Sequence, residues 1–298
     1  MWPFFNSKKS SDCSRVIHTG VRAIDLFAPI PCGGDVLISG DPKAGTKVLG
    51  KELAVRLMNT SNDSFRVIIY LDEEITEVEA QALELKELMP SLKNIYVTNS
   101  IGYNDLSQLL SQPTSCAKDA VIACSDRSSF VHFFREAIIQ SRNTSGSRRS
   151  LTSFVYGDDI REGTYDAKII SNRLLAQQGI YPAFDTLRSS SSASADKLFS
   201  RKRIAVAKAA KDAIDTVFAA IYADALGDPN WIFNSDPSKR SAAQMMRFMS
   251  QPLFVAEPYT GMKAEYLTIE ATVKDFMRLI ANELLELPPA GLLYKNHL

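Results

Sequence analysis

The chain has no surplus charge of either sign: 34 Lys and Arg stand against 34 Asp and Glu in 298 residues. A protein that works by neutralising nucleic-acid phosphates carries a basic excess or a basic stripe, so no nucleic-acid partner is expected. Cysteine is scarce, with Cys13, Cys32, Cys116 and Cys124 widely scattered and no C-x-x-C pair. In a chain this long, such spacing predicts no disulfide staples and a reducing cytoplasm. His18, His132 and His297 are too dispersed for a metal site. No window approaches the roughly 20 continuous apolar residues of a spanning helix. The apolar start, Met1 to Phe5, runs at once into Asn6, Ser7, Lys8 and Lys9 and is too short for a signal-peptide core. The expectation is a cytoplasmic protein that meets a membrane only through partners.

What is present is ordinary globular material, 45% hydrophobic and 23% charged, enough for one large or two medium domains. Residues 1–14 read as a polar tail. Asp35 to Ser39 is a short apolar run bounded by glycines, the pattern of a buried parallel strand, and a helix is expected over Thr46 to Met58. Arg66 to Leu71 and Glu77 to Leu88 repeat the strand–helix alternation. Asn94 to Thr98, Ala120 to Cys124 and Leu151 to Tyr156 are further strand candidates. That rhythm predicts an α/β core on a mostly parallel sheet with crossover helices. Two small polar stretches, Asn143 to Ser150 and Ser189 to Asp196, have loop composition. Beyond them Arg203 to Leu226 is Ala-rich, without Gly or Pro. The expected division is a nucleotide-binding α/β domain over 15–200 and a smaller α-helical domain over 201–298, opened by Arg201-Lys202-Arg203 as a solvated helix start.

Gly40-Asp41-Pro42-Lys43-Ala44-Gly45-Thr46-Lys47 lies between the first strand and its helix, where a G-x-x-x-x-G-K-[ST] phosphate loop belongs. The last two residues are exchanged. In a working loop the Lys reaches the β and γ phosphates and the next hydroxyl holds magnesium. Here Thr46 takes the Lys place and Lys47 the hydroxyl place. Successive helical residues point about 100° apart, so the exchange aims the ammonium away from the phosphates. Asp41 adds a carboxylate that opposes an anion unless it is turned outward, and Lys43 could compensate by reaching inward. Alternatively, Gly40 and Gly45 simply make a tight strand-to-helix turn.

The flanking residues add a resemblance. Thr19-Gly20-Val21-Arg22-Ala23-Ile24-Asp25-Leu26-Phe27-Ala28-Pro29, Gln178-Gly179-Ile180-Tyr181-Pro182-Ala183-Phe184-Asp185 and the long run Arg247 to Gly261 (RFMSQPLFVAEPYTG) resemble the catalytic beta subunit of the rotary ATP synthases. The resemblance covers about residues 15–298, with shortened stretches between roughly 97 and 165, and includes no counterpart of that family's N-terminal β-barrel. It implies a RecA-like phosphate-loop core, a C-terminal helical domain, ATP or ADP with magnesium as cofactors, and alpha-like or beta-like partner subunits in a hetero-oligomer or ring. The family's adenine pocket falls on Tyr181, Leu253, Ala256 and Tyr259. Its loop positions fall on Gly40, Lys43, Gly45, Thr46, Lys47 and Val48.

The catalytic positions implied by the resemblance are altered. The general-base glutamate falls on Glu73, but the Arg that follows it in the family is Glu74 here. The magnesium-associated acid falls on Ser125 or Asp126, in one of two registers, so magnesium would sit near Thr46 and Asp126. The family arginine beyond the adenine tyrosine falls on Ser192, with Arg188 the nearest substitute. The rotor-contact loop falls on Pro229 to Ser235, which has lost its carboxylates and gained aromatics, a composition suited to static docking. One arginine in phosphoryl transfer can contribute about 10³ to 10⁵ in rate, so losing the phosphate Lys and the metal hydroxyl together predicts weak or no hydrolysis. The expected function is a nucleotide-binding, beta-like subunit with a structural or regulatory task. Two alternatives are a slow ATPase using Glu73 with Lys43 or Lys47, and a nucleotide-free protein that docks on an alpha-like neighbour.

Overall fold

In the computed structural model of the chain, the residues described are 16–59, 65–71, 74–88, 95–98, 106, 108–110, 112, 118–124, 134, 136–141, 150–156, 165–195, 199–223 and 237–298. Glu73, Ser125, Asp126, the tail 1–14 and the segment 229–235 lie outside them.

A small antiparallel pair, β1 (Val16–Ile17) and β2 (Ile30–Pro31), flanks helix α1 (Arg22–Phe27). Next come β3 (Asp35–Gly40), a 3-10 turn (Pro42–Ala44), α2 (Thr46–Asn59), β4 (Phe65–Leu71), α3 (Ile75–Leu88), β5 (Ile95–Thr98), β6 (Lys118–Cys124), β7 (Ser150–Tyr156), β8 (Ala167–Ser171), α4 (Arg173–Gln177) and β9 (Ser190–Ser191). These strands form one seven-stranded sheet in the order β5-β4-β6-β7-β3-β8-β9, parallel throughout except for β8 against β9. The expected mostly parallel α/β core is therefore present. Every residue of β4 is buried, which is why its apolar run does not alternate: helices cover both faces of such a sheet.

The remaining elements are α5 (Arg201–Ala223), α6 (Pro237–Phe248), a 3-10 turn (Phe254–Ala256), α7 (Glu257–Thr260) and α8 (Ile269–Ile280). One apolar cluster runs from the sheet into these helices. Phe27 of α1 stacks on Phe184 at 6.3 Å and meets Phe276 of α8 edge-on at 5.7 Å. Phe248 of α6 closes the group at 5.6 Å from Phe276. Among the described residues no helix is long and apolar enough to cross a membrane.

Three expectations are corrected. The serine run is not simply a loop: Ser190–Ser191 pairs with β8 and Ser192–Ala195 is a 3-10 turn. Its hydroxyls supply the bonds that a loop would lack, with Ser191 Oγ donating to Pro29 O and accepting from Ala193 N, and Ser189 Oγ accepting from Ile170 N. Arg203 is not solvated. It lies buried in the first turn of α5, donating to Asp25 O at 2.6 Å and stacked 3.6 Å from the Phe199 ring, while Arg201 and Lys202 stay exposed. Cys32 is disulfide-bonded, against the expectation of no disulfide, since the scattered cysteine spacing carries no pairing signal.

Candidate functional site

Ligands of open α/β sheets bind outside the carboxyl ends of the strands, and that end of β3 carries the glycine loop. Gly40 has φ +133°, and a Cβ there would lie 2.3 Å from Ser171 O at the end of β8, so no other residue fits. Gly45 has φ +79°, and the Tyr181 ring packs against its α-carbon, 3.3 Å from where a Cβ would sit.

Asp41 organises the turn between these glycines. Its Oδ1 accepts the N–H of Lys43 at 2.9 Å and its carbonyl accepts that of Ala44 at 2.8 Å. Oδ2 lies 3.9 Å from Arg173 Nη1. Pro42 has no N–H to offer. Phosphate loops work by aiming consecutive backbone N–H groups at the anion. Here positions 42 to 44 have none to spare. Lys43 is exposed, Thr46 is buried in the first turn of α2, and Lys47 and Val48 are exposed beside it.

Helix α2 is held by a buried pair in its second half. Glu52 Oε1 lies 2.5 Å from Arg56 Nε, and Glu52 Oε2 accepts Val255 N at 3.1 Å. Arg56 Nη1 donates to Gly20 O and Glu265 O, and the guanidinium stands over Phe254 at 4.8 Å. The turn Phe254–Ala256 is thereby fixed against α2.

Gln251 joins the three stretches that carry the resemblance. Its Oε1 accepts Arg22 N at 2.8 Å, its Nε2 donates to Gly20 O at 3.0 Å, and its backbone N–H donates to Tyr181 O at 2.9 Å. Asp25 holds the entry turn by accepting from Thr19 N, Thr19 Oγ1 and Gly20 N. Burial raises the Asp25 carboxyl above its ordinary range, and the Thr19 and Gly20 hydrogen bonds oppose that rise. Arg22 donates to Phe248 O, Lys295 O and Asn296 O. Tyr294, from the same C-terminal stretch, donates its hydroxyl to Gly179 O. Burial raises its phenol, and nearby Tyr181 adds to the rise.

Beside α2 lies a cavity of about 270 Å³. Lys47, Val48, Ala256 and Tyr259 line it together with Ile69, Leu71, Leu85 and Ile122 from the sheet and α3. Four of the residues expected from sequence thus share one space. Tyr181 lies at Gly45 and Leu253 is buried in the core, and neither lines the cavity. Tyr259 is 78% exposed. Arg188 is engaged within its own turn, its Nε 2.9 Å from Asp185 Oδ2. Lys51 and Glu84, joined at 2.7 Å across α2 and α3, also line the cavity and were not expected from sequence. Neither was Gln251. The Glu52–Arg56 pair does carry a sequence signal, the i, i+4 spacing of opposite charges on a helix.

Together, fold and site define an α/β protein with a glycine turn at the carboxyl end of a central strand and a lined cavity beside the following helix. No family model matches the chain.

Proposed function

We propose that this chain is a nucleotide-binding subunit, similar to the ATP synthase beta subunit, that holds ATP or ADP through the base side and hydrolyses it weakly or not at all. It serves as a structural or regulatory component of an assembly with alpha-like or beta-like partners. The observation that carries the reading is the state of the glycine loop. It stands at the carboxyl end of β3, between strand and helix, yet Asp41 takes up the N–H groups of Lys43 and Ala44. A γ-phosphate arriving there would meet the Asp41 carboxylate, and the N–H groups of Lys43 and Ala44 are already engaged.

On the base side, Val48, Ala256 and Tyr259 stand together at the cavity, and Tyr181 closes on Gly45. Stacking of a purine on either tyrosine contributes on the order of 1 kcal/mol. The strand order supports a RecA-like core, with β7 between the loop-bearing β3 and β6. For magnesium the fit is poor: Thr46 carries a hydroxyl in the place of the phosphate lysine, and among the described residues no group of three or more His, Cys, Asp or Glu side chains could hold a metal ion.

The test is calorimetric titration of the full chain with ATP and ADP, paired with phosphate-release assays on the wild type and Glu73→Gln. Binding of both nucleotides with release at background in both proteins supports the reading. Release that Glu73→Gln abolishes replaces it with the slow-ATPase alternative.

A further inference from the structure

We propose that the cavity between α2 and α3 is a binding site for one compact, uncharged, apolar molecule with roughly the bulk of two fused rings. The proposal goes beyond nucleotide binding and does not depend on it, although Val48, Ala256 and Tyr259 belong to both places.

The cavity has a floor and a mouth. Ile69 and Leu71 of β4, Ile122 of β6 and Leu85 of α3 are each no more than 5% exposed, and they form an apolar bottom against the sheet. Exposure increases towards Val48 and Tyr259. A buried water needs two to four polar partners, whereas apolar cavities stay dry and take up apolar molecules. These four floor side chains have no polar atom to offer water.

Two ties hold the walls. Lys51 Nζ of α2 donates to Glu84 Oε2 of α3 at 2.7 Å, a bridge that spans the two helices. On the other side Glu52 Oε2 accepts Val255 N at 3.1 Å while Glu52 Oε1 pairs with the buried Arg56, so the turn that brings Val255 and Ala256 to the cavity is anchored on α2. A space whose walls are already fixed takes a ligand at little ordering cost.

Size and polarity define the occupant. A volume of about 270 Å³ is nearly twice the ~150 Å³ of a dry apolar cavity that takes up one benzene, and two fused rings match that space. It lies just under the range of drug-sized pockets, which starts near about 300 Å³. Lys51 and Glu84 satisfy one another, and the floor offers no counter-charge, so an ion entering the cavity would give up its water without compensation, which is heavily disfavoured. An uncharged molecule loses little hydration and covers the apolar floor. The glycine loop is a separate feature, since neither Gly40 nor Gly45 lines the cavity.

The experiment is calorimetric titration of the full chain with indole and with two charged molecules built on the same rings, indole-2-carboxylate and indol-2-ylmethylammonium. The expected result is saturable binding of one indole per chain, tighter than either ion by about tenfold or more. Leu85→Phe, which fills the floor, and Val97→Phe, at a half-buried position of β5 that lines the same cavity, should each weaken indole by about tenfold or more. Urea unfolding reports whether each variant folds, and Val97→Phe decides the matter if Leu85→Phe does not. No saturable indole binding at millimolar concentration, equal binding of indole and either ion, or undiminished binding in a folded variant overturns the proposal. Indole stacked only on the exposed Tyr259 ring would survive both substitutions and so falls among the overturning results. ATP titrated into the same samples separates the two readings: absence of ATP binding with indole retained contradicts only the nucleotide proposal, and the converse contradicts only this one.

Discussion

The side-chain carbonyl of Gln251 accepts the backbone N–H of Arg22 at 2.8 Å, across 229 positions of sequence. Both residues are buried. Through its amide and its backbone, Gln251 also reaches Gly20 and Tyr181, so one side chain sets the distance between the entry segment, the tyrosine loop and the segment that carries Ala256 and Tyr259.

Gln251→Leu keeps the volume and removes both side-chain bonds. It leaves the Arg22 N–H and the Gly20 carbonyl short of a partner in the interior, although Gly20 O retains Arg56. The expected loss is about 3 kcal/mol of unfolding free energy, measured by urea denaturation. A loss well under 1 kcal/mol would show that the clasp contributes little.

Glu52→Ala strands the Arg56 guanidinium in the interior and frees Val255 N. Removing one partner of a buried ion pair costs about 3–5 kcal/mol. The double variant Glu52→Leu with Arg56→Met should recover most of that loss, because an apolar pair of similar volume carries no desolvation penalty. Equal destabilisation in the single and double variants would contradict this account.

Gly40→Ala places a methyl group against Ser171 O at a positive φ. The strand β3 or its neighbour β8 must shift, at a cost of about 2–4 kcal/mol. Thermal unfolding measures it. Gly179, which has open space at its Cβ position, serves as the comparison, and Gly179→Ala should cost less, through its positive φ alone.

Asp25 determines a pH dependence. Burial raises its folded-state pKa above the ordinary value of 3.8, so in the window just above that value the native state binds more protons than the unfolded one. Stability attributable to Asp25 is then largest at low pH and declines as pH rises through the window. The stability of the wild type minus that of Asp25→Asn should fall between about pH 4 and the raised value. A flat or rising difference would contradict the assignment.

Much of the sheet was legible. The strands β3, β4, β5, β6 and β7 stand within two residues of the apolar runs that predict them, because buried parallel strands are continuous apolar segments with polar or glycine ends. β8 escaped because Lys168 interrupts its run, and β9 escaped because two serines look like loop. At the site, the resemblance placed Lys47, Val48, Ala256 and Tyr259 on a common list, and the fold brings them to one cavity. The Asp41 turn was half legible, since an Asx residue before Pro favours capping its own turn, but which N–H groups it consumes needs coordinates. The contacts of Gln251, Glu52 and Lys51 span distant segments, and single-sequence patterns carry no signal for such pairs.

The measurement closest to the central claim compares the affinities of ATP, ADP and AMP for the full chain in magnesium buffer, together with phosphate release. A loop in which Asp41 takes the N–H groups of Lys43 and Ala44 predicts measurable binding of all three within about a threefold range, because the base side carries the energy, and no release above background. Failure of ATP and ADP to bind at millimolar concentration, or a preference for ATP over AMP of a hundredfold or more with steady turnover, about 3 kcal/mol assigned to the phosphates, would contradict it.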